Sequence, residues 1–280
     1  MKMFASDLDR TLIYSKRALA DFNQTEMDDL VGVEFKADQE AAFMTRKSVE
    51  ILKSIAENML FVPVTTRTFE QFNRVSLISK ALPLTYAITS NGANIIYNGA
   101  PLHEWKLLIE ERLSNECLPL HELLEKVKGS HLKGKIKIAE ELFFYYILEE
   151  SPHADTVKWL KEMAMESGWR TSIQGRKLYF MPNPICKGEA VKYIKEREGV
   201  TAVYGAGDSL LDHDFLKACD FSYVPSHGEI ADENNEEFPY TFTKNRGVMA
   251  GEEILSEIAK HALHGKMNEA ALYSHFLNIK

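Results

Sequence analysis

Two aspartates two positions apart, Asp7 and Asp9, follow a short apolar run that opens at Met3, with Thr11 two positions further on. Two carboxylates just past a buried strand are costly to bring together unless a cation or a proton is shared, because like charges repel and burial penalises ionisation. A divalent metal is the natural answer, and a solvated acidic turn is the plain alternative for this segment alone. A second polar cluster, Thr65-Thr66-Arg67, ends the apolar run Leu60 to Val64. Hydroxyls and a planar guanidinium suit phosphate oxygens, although Thr and Arg at a strand end also serve as caps and surface contacts. The third feature is Lys187, on the Ile185-Cys186-Lys187-Gly188 turn, where an ammonium and a helix N-terminus could both face an anion; a solvated lysine is the ordinary alternative. The fourth is Gly205-Ala206-Gly207-Asp208-Ser209-Leu210-Leu211-Asp212. Asp208 ends an apolar run there and Asp212 lies one helical turn later, so both carboxylates can approach one site, or form an N-cap and a surface acid.

The elements that must position these residues alternate. The run from Met3 reads as a buried strand, Arg46 to Asn58 as a helix with apolar positions at helical spacing, and Leu60 to Val64 as a strand. A helix is expected from about Phe69 to Lys80, then a strand Tyr86 to Thr89 that ends at Ser90, Asn91 and Gly92. A strand or hairpin is expected near Val31 to Lys36. After a hairpin around Asn98 and Gly99 the pattern changes to helices within Glu104 to Lys128, strands near Lys135 to Ile138, Leu142 to Glu149 and Lys177 to Met181, and a helix near Asp155 to Ser167. Alternation resumes with helix Gly188 to Glu198, strand Thr201 to Tyr204, a helix to Ala218 and a strand Phe221 to Val224; two helices are expected within Gly251 to Lys280. This predicts an α/β protein: a doubly wound parallel sheet from residues 1–92 and 184–280, interrupted by an inserted α+β module over 93–183. In such a sheet ligands sit outside the carboxyl ends of the strands, which is where the four polar clusters fall.

Composition narrows the partners. The chain has 280 residues, 45% hydrophobic and 26% charged, which suits a packed core and excludes disordered, collagen-like and coiled-coil classes. With 33 basic against 41 acidic residues the net charge is -8, and no basic block offers the phosphate-neutralising patch that nucleic-acid binding needs. No apolar run approaches the length of a membrane span, and acids reach the seventh position, so a cytoplasmic protein with no membrane partner is expected, as monomer or homodimer. Cys117, Cys186 and Cys219 are odd in number and far apart, which predicts buried free thiols. His261 and His264 lack a third ligand, so a solvated pair is expected.

Taken together and in order, Asp-Leu-Asp-Arg-Thr at 7–11, the Thr65-Thr66-Arg67 turn, Lys187 and Gly-Asp-Ser-Leu-Leu-Asp at 207–212 resemble the four signature motifs of the haloacid dehalogenase superfamily. The insert between the second and third motifs, entered after Ile-Thr-Ser-Asn-Gly-Ala-Asn, resembles the large α+β cap of the Cof-type and sucrose-phosphate-phosphatase-like branches. The resemblance implies a Rossmann-like core with an inserted cap, and a phosphatase acting on a small phosphorylated metabolite, usually a sugar phosphate. It implies Asp7 as nucleophile forming an aspartyl phosphate, Asp9 as acid and then base, and Thr65 and Lys187 on the phosphoryl oxygens, with Thr66, Arg67 and Asn91 completing the substrate site. It also implies Mg2+ held by the Asp7 carboxylate, the Asp9 backbone carbonyl and Asp208, with Asp212 in support. Three departures stand out: Arg10 where the family often has Gly, Thr66 where the second motif often has Gly, and Leu211 where Cof-type members often have Asn. Asp9 favours a phosphatase over the related ion-pumping ATPases, which carry Thr there. A phosphomannomutase-like phosphomutase and a non-catalytic phosphate-ligand sensor are the alternative readings. Among cap residues, Arg176, Lys177 and Tyr179 are candidates for substrate contact.

Overall fold

The computed structural model describes residues 1–130, 132–232 and 239–263. Its centre is a parallel sheet with strand order Thr241–Phe242, Phe221–Val224, Ala202–Ala206, Lys2–Ser6 and Leu60–Pro63. A parallel bridge from Val64 to Ile88 brings Tyr86–Thr89 alongside the last strand. The strands are near-continuous apolar runs because both faces are covered. Phe4, Phe61 and Tyr204 pack on one face against the helices Arg46–Asn58 and Val248–Leu263. Met3, Ala5, Val62 and Val203 pack on the other with Ala190, Val191 and Ile194 of the Lys187–Arg197 helix. Trp105 and Ile109, from the His103–Glu116 helix, join this second cluster.

A hairpin of Leu30–Lys36 and Gln39–Thr45 stands over one end of the sheet. It turns through Ala37 and Asp38, both at positive φ, a tight turn without the Asn-Gly signal that marks such turns in a sequence. Its register slips between Gly32 and Phe35, and such a bulge re-aims side chains, here Glu34, which is buried. Thr45 then caps the Arg46–Asn58 helix by accepting the Ser48 amide, and its hydroxyl donates to Glu252 at 2.7 Å.

The second layer is an antiparallel sheet ordered Trp169–Gln174, Lys177–Pro182, Phe143–Leu148, Gly134–Ala139. Helices Leu120–Lys128 and Ala154–Glu166 cover one face, with Phe144, Phe180 and Trp169 at the centre of the cluster. Tyr145 and Tyr179 point the other way, toward the parallel sheet's strand ends.

Several expectations change in detail. The helix expected over Phe69 to Lys80 is two, Phe69–Asn73 and Ser76–Ala81, because Val75 leaves helical geometry between them. Strand Trp169–Gln174 was not foreseen, since its mixed residues lack a clean alternation. The segment after Asp208 is a short 3-10 turn, Leu210–Asp212, followed by His213–Leu216. The C-terminal helix starts earlier than expected, at Val248, and the second expected helix and His264 lie outside the described residues. The three cysteines are free and half-buried rather than fully buried. Among the described residues no helix is long and apolar enough to cross a membrane.

Candidate active site

The carboxyl ends of the central strands converge on one cavity of about 750 Å³ between the parallel sheet and the antiparallel one. Asp7 follows the Lys2–Ser6 strand and its amide bonds the Ala206 carbonyl at 2.8 Å, which fixes it beside the neighbouring strand's end. The chain then folds tightly: the Leu8 carbonyl accepts the amides of Thr11, Leu12 and Ile13. This turn requires φ +64 at Arg10, a left-handed conformation that suits glycine, so the arginine there carries backbone strain. Tyr14 donates to the Arg10 carbonyl at 2.7 Å, and His227 Nε2 meets the same oxygen at 3.0 Å. Because His227 Nδ1 accepts the Gly247 amide, Nε2 carries the proton and donates it.

Asp7, Asp208 and Asp212 are all buried, and one carboxylate oxygen of each lies within 4.8 Å of the others. Lys187, fully buried at the first position of its helix, donates to Asp7 at 2.8 Å and to Asp212 at 2.6 Å. Asp212 is locked further by the amides of Asp208 and Ser209 and by the Ser209 hydroxyl, all on its second oxygen. Gly207 permits this approach, since a Cβ there would stand 2.6 Å from that of Asp212. Thr11 donates weakly toward Asp7 and Asp208, at 3.5 and 3.4 Å.

The charges do not balance among these side chains. Three carboxylates against one ammonium leave two negative charges when all are ionised, and the half-exposed Arg10 guanidinium, 3.9 Å from Asp208, offsets them only in part. Burial raises Asp7 to about 8 despite the opposing pull of Lys187, with Asp212 adding to the rise. Burial and the charges of Asp7 and Asp212 push Asp208 well above the usual carboxylate range. Burial opposes the Lys187 ammonium, but Asp212 and Asp7 hold its pKa above that of a free lysine. An all-oxygen donor set with two surplus negative charges fits a hard dication such as Mg2+.

Asp9 stands apart from this cluster. Its carboxylate is half-exposed and both oxygens meet Arg67, at 2.7 and 2.8 Å. Arg67 also donates to Glu34 at 2.9 Å, and Lys36 and Arg74 lie 3.9 and 3.8 Å from the other Glu34 oxygen. Asp7 and Asp9 thus face different cations, and only the backbone of Asp9 remains to contribute to a metal shared with Asp7. Thr65 is fully buried and its hydroxyl accepts the Arg67 amide, while Thr66 lines the cavity. Asn91, at φ +60, is buried and donates to the Met181 sulfur at 3.2 Å; it does not line the cavity. Of the cap candidates, Lys177 and Tyr179 line the cavity, whereas Arg176 turns away to the Leu148 carbonyl. Glu34, Lys36, Arg74 and Tyr145 were missed, although Tyr145 had a readable signal: it alternates with Phe144 and Tyr146 and so shares no face with them. Leu211 packs into the hydrophobic cluster of the antiparallel sheet.

No protein-family model matches the chain, and no curated protein does. Solved structures do. The sucrose-phosphatase from Synechocystis, solved with sucrose and phosphate, matches 92% of this chain and 96% of its own at 15% identity and a TM-score of 0.67. A haloacid dehalogenase-like hydrolase from Bacillus subtilis matches 93% of this chain and 91% of its own, at 14% identity and a TM-score of 0.56. A trehalose-6-phosphate phosphatase related protein matches 95% of this chain and all of its own, at 16% identity and a TM-score of 0.55. The chain therefore has the α/β fold of the haloacid dehalogenase-like hydrolases, in the form that carries a second, antiparallel layer.

Proposed function

We propose that the chain is a haloacid dehalogenase superfamily phosphatase of the sucrose-phosphatase and Cof-type branch. It would hydrolyse a small phosphorylated metabolite of the sugar-phosphate class through an aspartyl phosphate on Asp7. One observation carries this reading: a buried carboxylate at the end of the central strand, met by a buried lysine and by two further carboxylates that suit a dication. The fold likeness to solved phosphatases supports it. Residues 93–183 are read as the cap module.

In this reading an Asp7 oxygen attacks phosphorus and the bond to the leaving oxygen breaks. Asp9 gives that oxygen a proton, then takes one from the water whose oxygen attacks the aspartyl phosphate; phosphate leaves and the Asp7 carboxylate is regenerated. Asp9, which already lines the cavity, must first turn off Arg67 toward the leaving oxygen. Lys187 and Thr65 hold phosphoryl oxygens, and Asp212 keeps Lys187 in place. Mg2+, held by Asp7, Asp208 and the Asp9 carbonyl, would supply charge neutralisation on the phosphoryl group.

Purified protein should release phosphate from p-nitrophenyl phosphate with Mg2+ and not with EDTA. Asp7→Asn should lower that rate by at least about 10⁴-fold, as removal of a nucleophile does. Its melting temperature without metal should not fall, because the variant removes one of three crowded buried carboxylates while Lys187 keeps Asp212. Mg2+ at about 100 times its dissociation constant should stabilise the wild type by about 2.7 kcal/mol. Phosphate release unaffected by Asp7→Asn would refute the reading.

A further inference from the structure

The cavity extends well beyond the phosphoryl centre, and its outer wall carries charge that the chemistry at Asp7 does not use. On the core side Lys36, Arg67 and Arg74 converge on a single buried carboxylate, Glu34, whose Oε1 has no hydrogen-bond partner. Arg67 is shared with Asp9. On the cap side the Lys177 ammonium lies over the Tyr145 ring, 5.5 Å from its centroid, and among the described residues it makes no ion pair. Strand alternation and register put Lys135 and Lys137 on the same face of the sheet as Lys177, Tyr145 and Tyr179, and no strand residue on that face is acidic. The cavity's other acids are Glu229, which accepts the Leu210 amide and acts on the Tyr179 hydroxyl, and Asp232; neither is on the sheet that carries Lys177.

The cap face of the cavity is therefore positive. On the core side Asp9 and Glu34 already meet Arg67, Lys36 and Arg74, whereas Lys177 lines the cavity with no carboxylate beside it on its sheet face. A neutral leaving group would leave the Lys177 ammonium facing only water and the Tyr145 ring. We infer that the substrate is a phosphomonoester whose leaving group carries a second anion, a carboxylate or another phosphate, and that Lys177 selects it from the cap. This rests on the phosphatase reading above. Lys36 and Arg74 supply the core half of the same anion subsite, and the Tyr145 and Tyr179 rings flank the carbon skeleton between the two charges.

The test measures Mg2+-dependent phosphate release by the full chain on matched esters: 3-phosphoglycerate against glycerol 3-phosphate, and glucose 1,6-bisphosphate against glucose 6-phosphate. The wild type should favour at least one dianionic-group ester over its neutral partner by about tenfold or more in kcat/KM, the worth of a charge-assisted hydrogen bond. Preference in the first pair assigns a carboxylate and in the second a phosphate. Lys177→Gln should shrink that preference about tenfold, acting more on the doubly anionic ester than on its partner. Lys177 is exposed on its strand, so this variant should fold; an unchanged far-ultraviolet spectrum checks it. Equal turnover of both partners, or a preference that survives Lys177→Gln, overturns the inference and leaves the phosphatase reading standing. No Mg2+-dependent release from these esters or from p-nitrophenyl phosphate overturns both.

Discussion

At the scale of single residues the site is a set of ion pairs whose partners are fixed by burial. Arg67 joins Asp9 to Glu34, and its pKa is held above the ordinary guanidinium value by both carboxylates against the opposing effect of burial. Arg67→Ala should destabilise the fold by about 3 kcal/mol, because a buried Glu34 loses its one hydrogen-bonded cation. Arg67→Lys should recover much of that stability without the two-oxygen grip on Asp9, a grip that Asp9 must leave in order to act, so phosphate release should be kept or raised. Chemical denaturation and turnover, measured side by side, separate the two effects. His227 has the opposite character: burial lowers it from 6.5 to about 4 so that it serves as a neutral hydrogen-bond relay between Gly247 and Arg10. Its folded pKa lies below the unfolded one, so the unfolded chain binds more protons between those values. Stability should therefore fall as pH drops from about 6.5 toward about 4, and His227→Gln should flatten that slope in melting curves recorded against pH.

At the scale of elements, what the sequence makes legible is whatever burial on both faces makes periodic. The runs Leu60 to Val64 and Tyr86 to Thr89 could hardly be anything but buried strands, and the polar clusters that stop them mark the sheet edge where ligands bind. Asp7 and Asp208 were readable because each closely follows such a strand, and Lys187 and Asp212 because they sit in the helical segments that open beside them. Glu34 was not, because a bulge in a half-exposed hairpin decides where it points, and no periodicity encodes that slip. Nor was the pairing of Asp9 with Arg67, which reaches it from another loop and holds it away from the Asp7 cluster. The turn Ser90-Asn91-Gly92 was readable as a stop but not as a joint. All three residues have positive φ, and a Cβ on Gly92 would stand 2.3 Å from the Cys186 carbonyl oxygen, beside the start of the Lys187 helix. Gly92→Ala combines left-handed strain with a backbone clash, and should cost more than about 2 kcal/mol. By displacing Cys186 it should also loosen Lys187, so the loss of phosphate release should exceed what a matched destabilisation elsewhere causes.

At the scale of the molecule, the two layers meet both at the site and beside it, where Arg170 of the antiparallel sheet pairs with Asp214 at 2.8 Å and donates to the Ile185 carbonyl at 2.7 Å. Glu140, in the turn between two strands of the antiparallel sheet, accepts from Ser90 and from Asn94 of the core. Tyr179 stands close enough to the core for Asp9 to be among the charges that act on it; burial chiefly, then Tyr145 and Asp9, raise its hydroxyl to about 12. Leu211 reaches from the loop between Asp208 and Asp212 into the antiparallel layer's hydrophobic cluster, where it is 5% exposed. The cavity is thus bordered by both layers yet open to solvent at Asp9 and Lys36, and parting of the layers would widen it. Leu211 is one apolar contact that opposes parting, and exposing a buried leucine costs about 2 kcal/mol, or roughly a thirtyfold change in the closed-to-open ratio. Leu211→Asn, which restores the residue the Cof-type pattern often has, should expand the protein in small-angle scattering and raise KM. Hydrogen exchange should quicken in Lys177–Pro182, while the parallel sheet exchanges as before. Unchanged scattering and exchange would mean that the polar contacts, Glu140 with Ser90 and Asn94 and Arg170 with Asp214, hold the layers together rather than the leucine, and Glu140→Gln combined with Arg170→Gln should then produce the expansion instead.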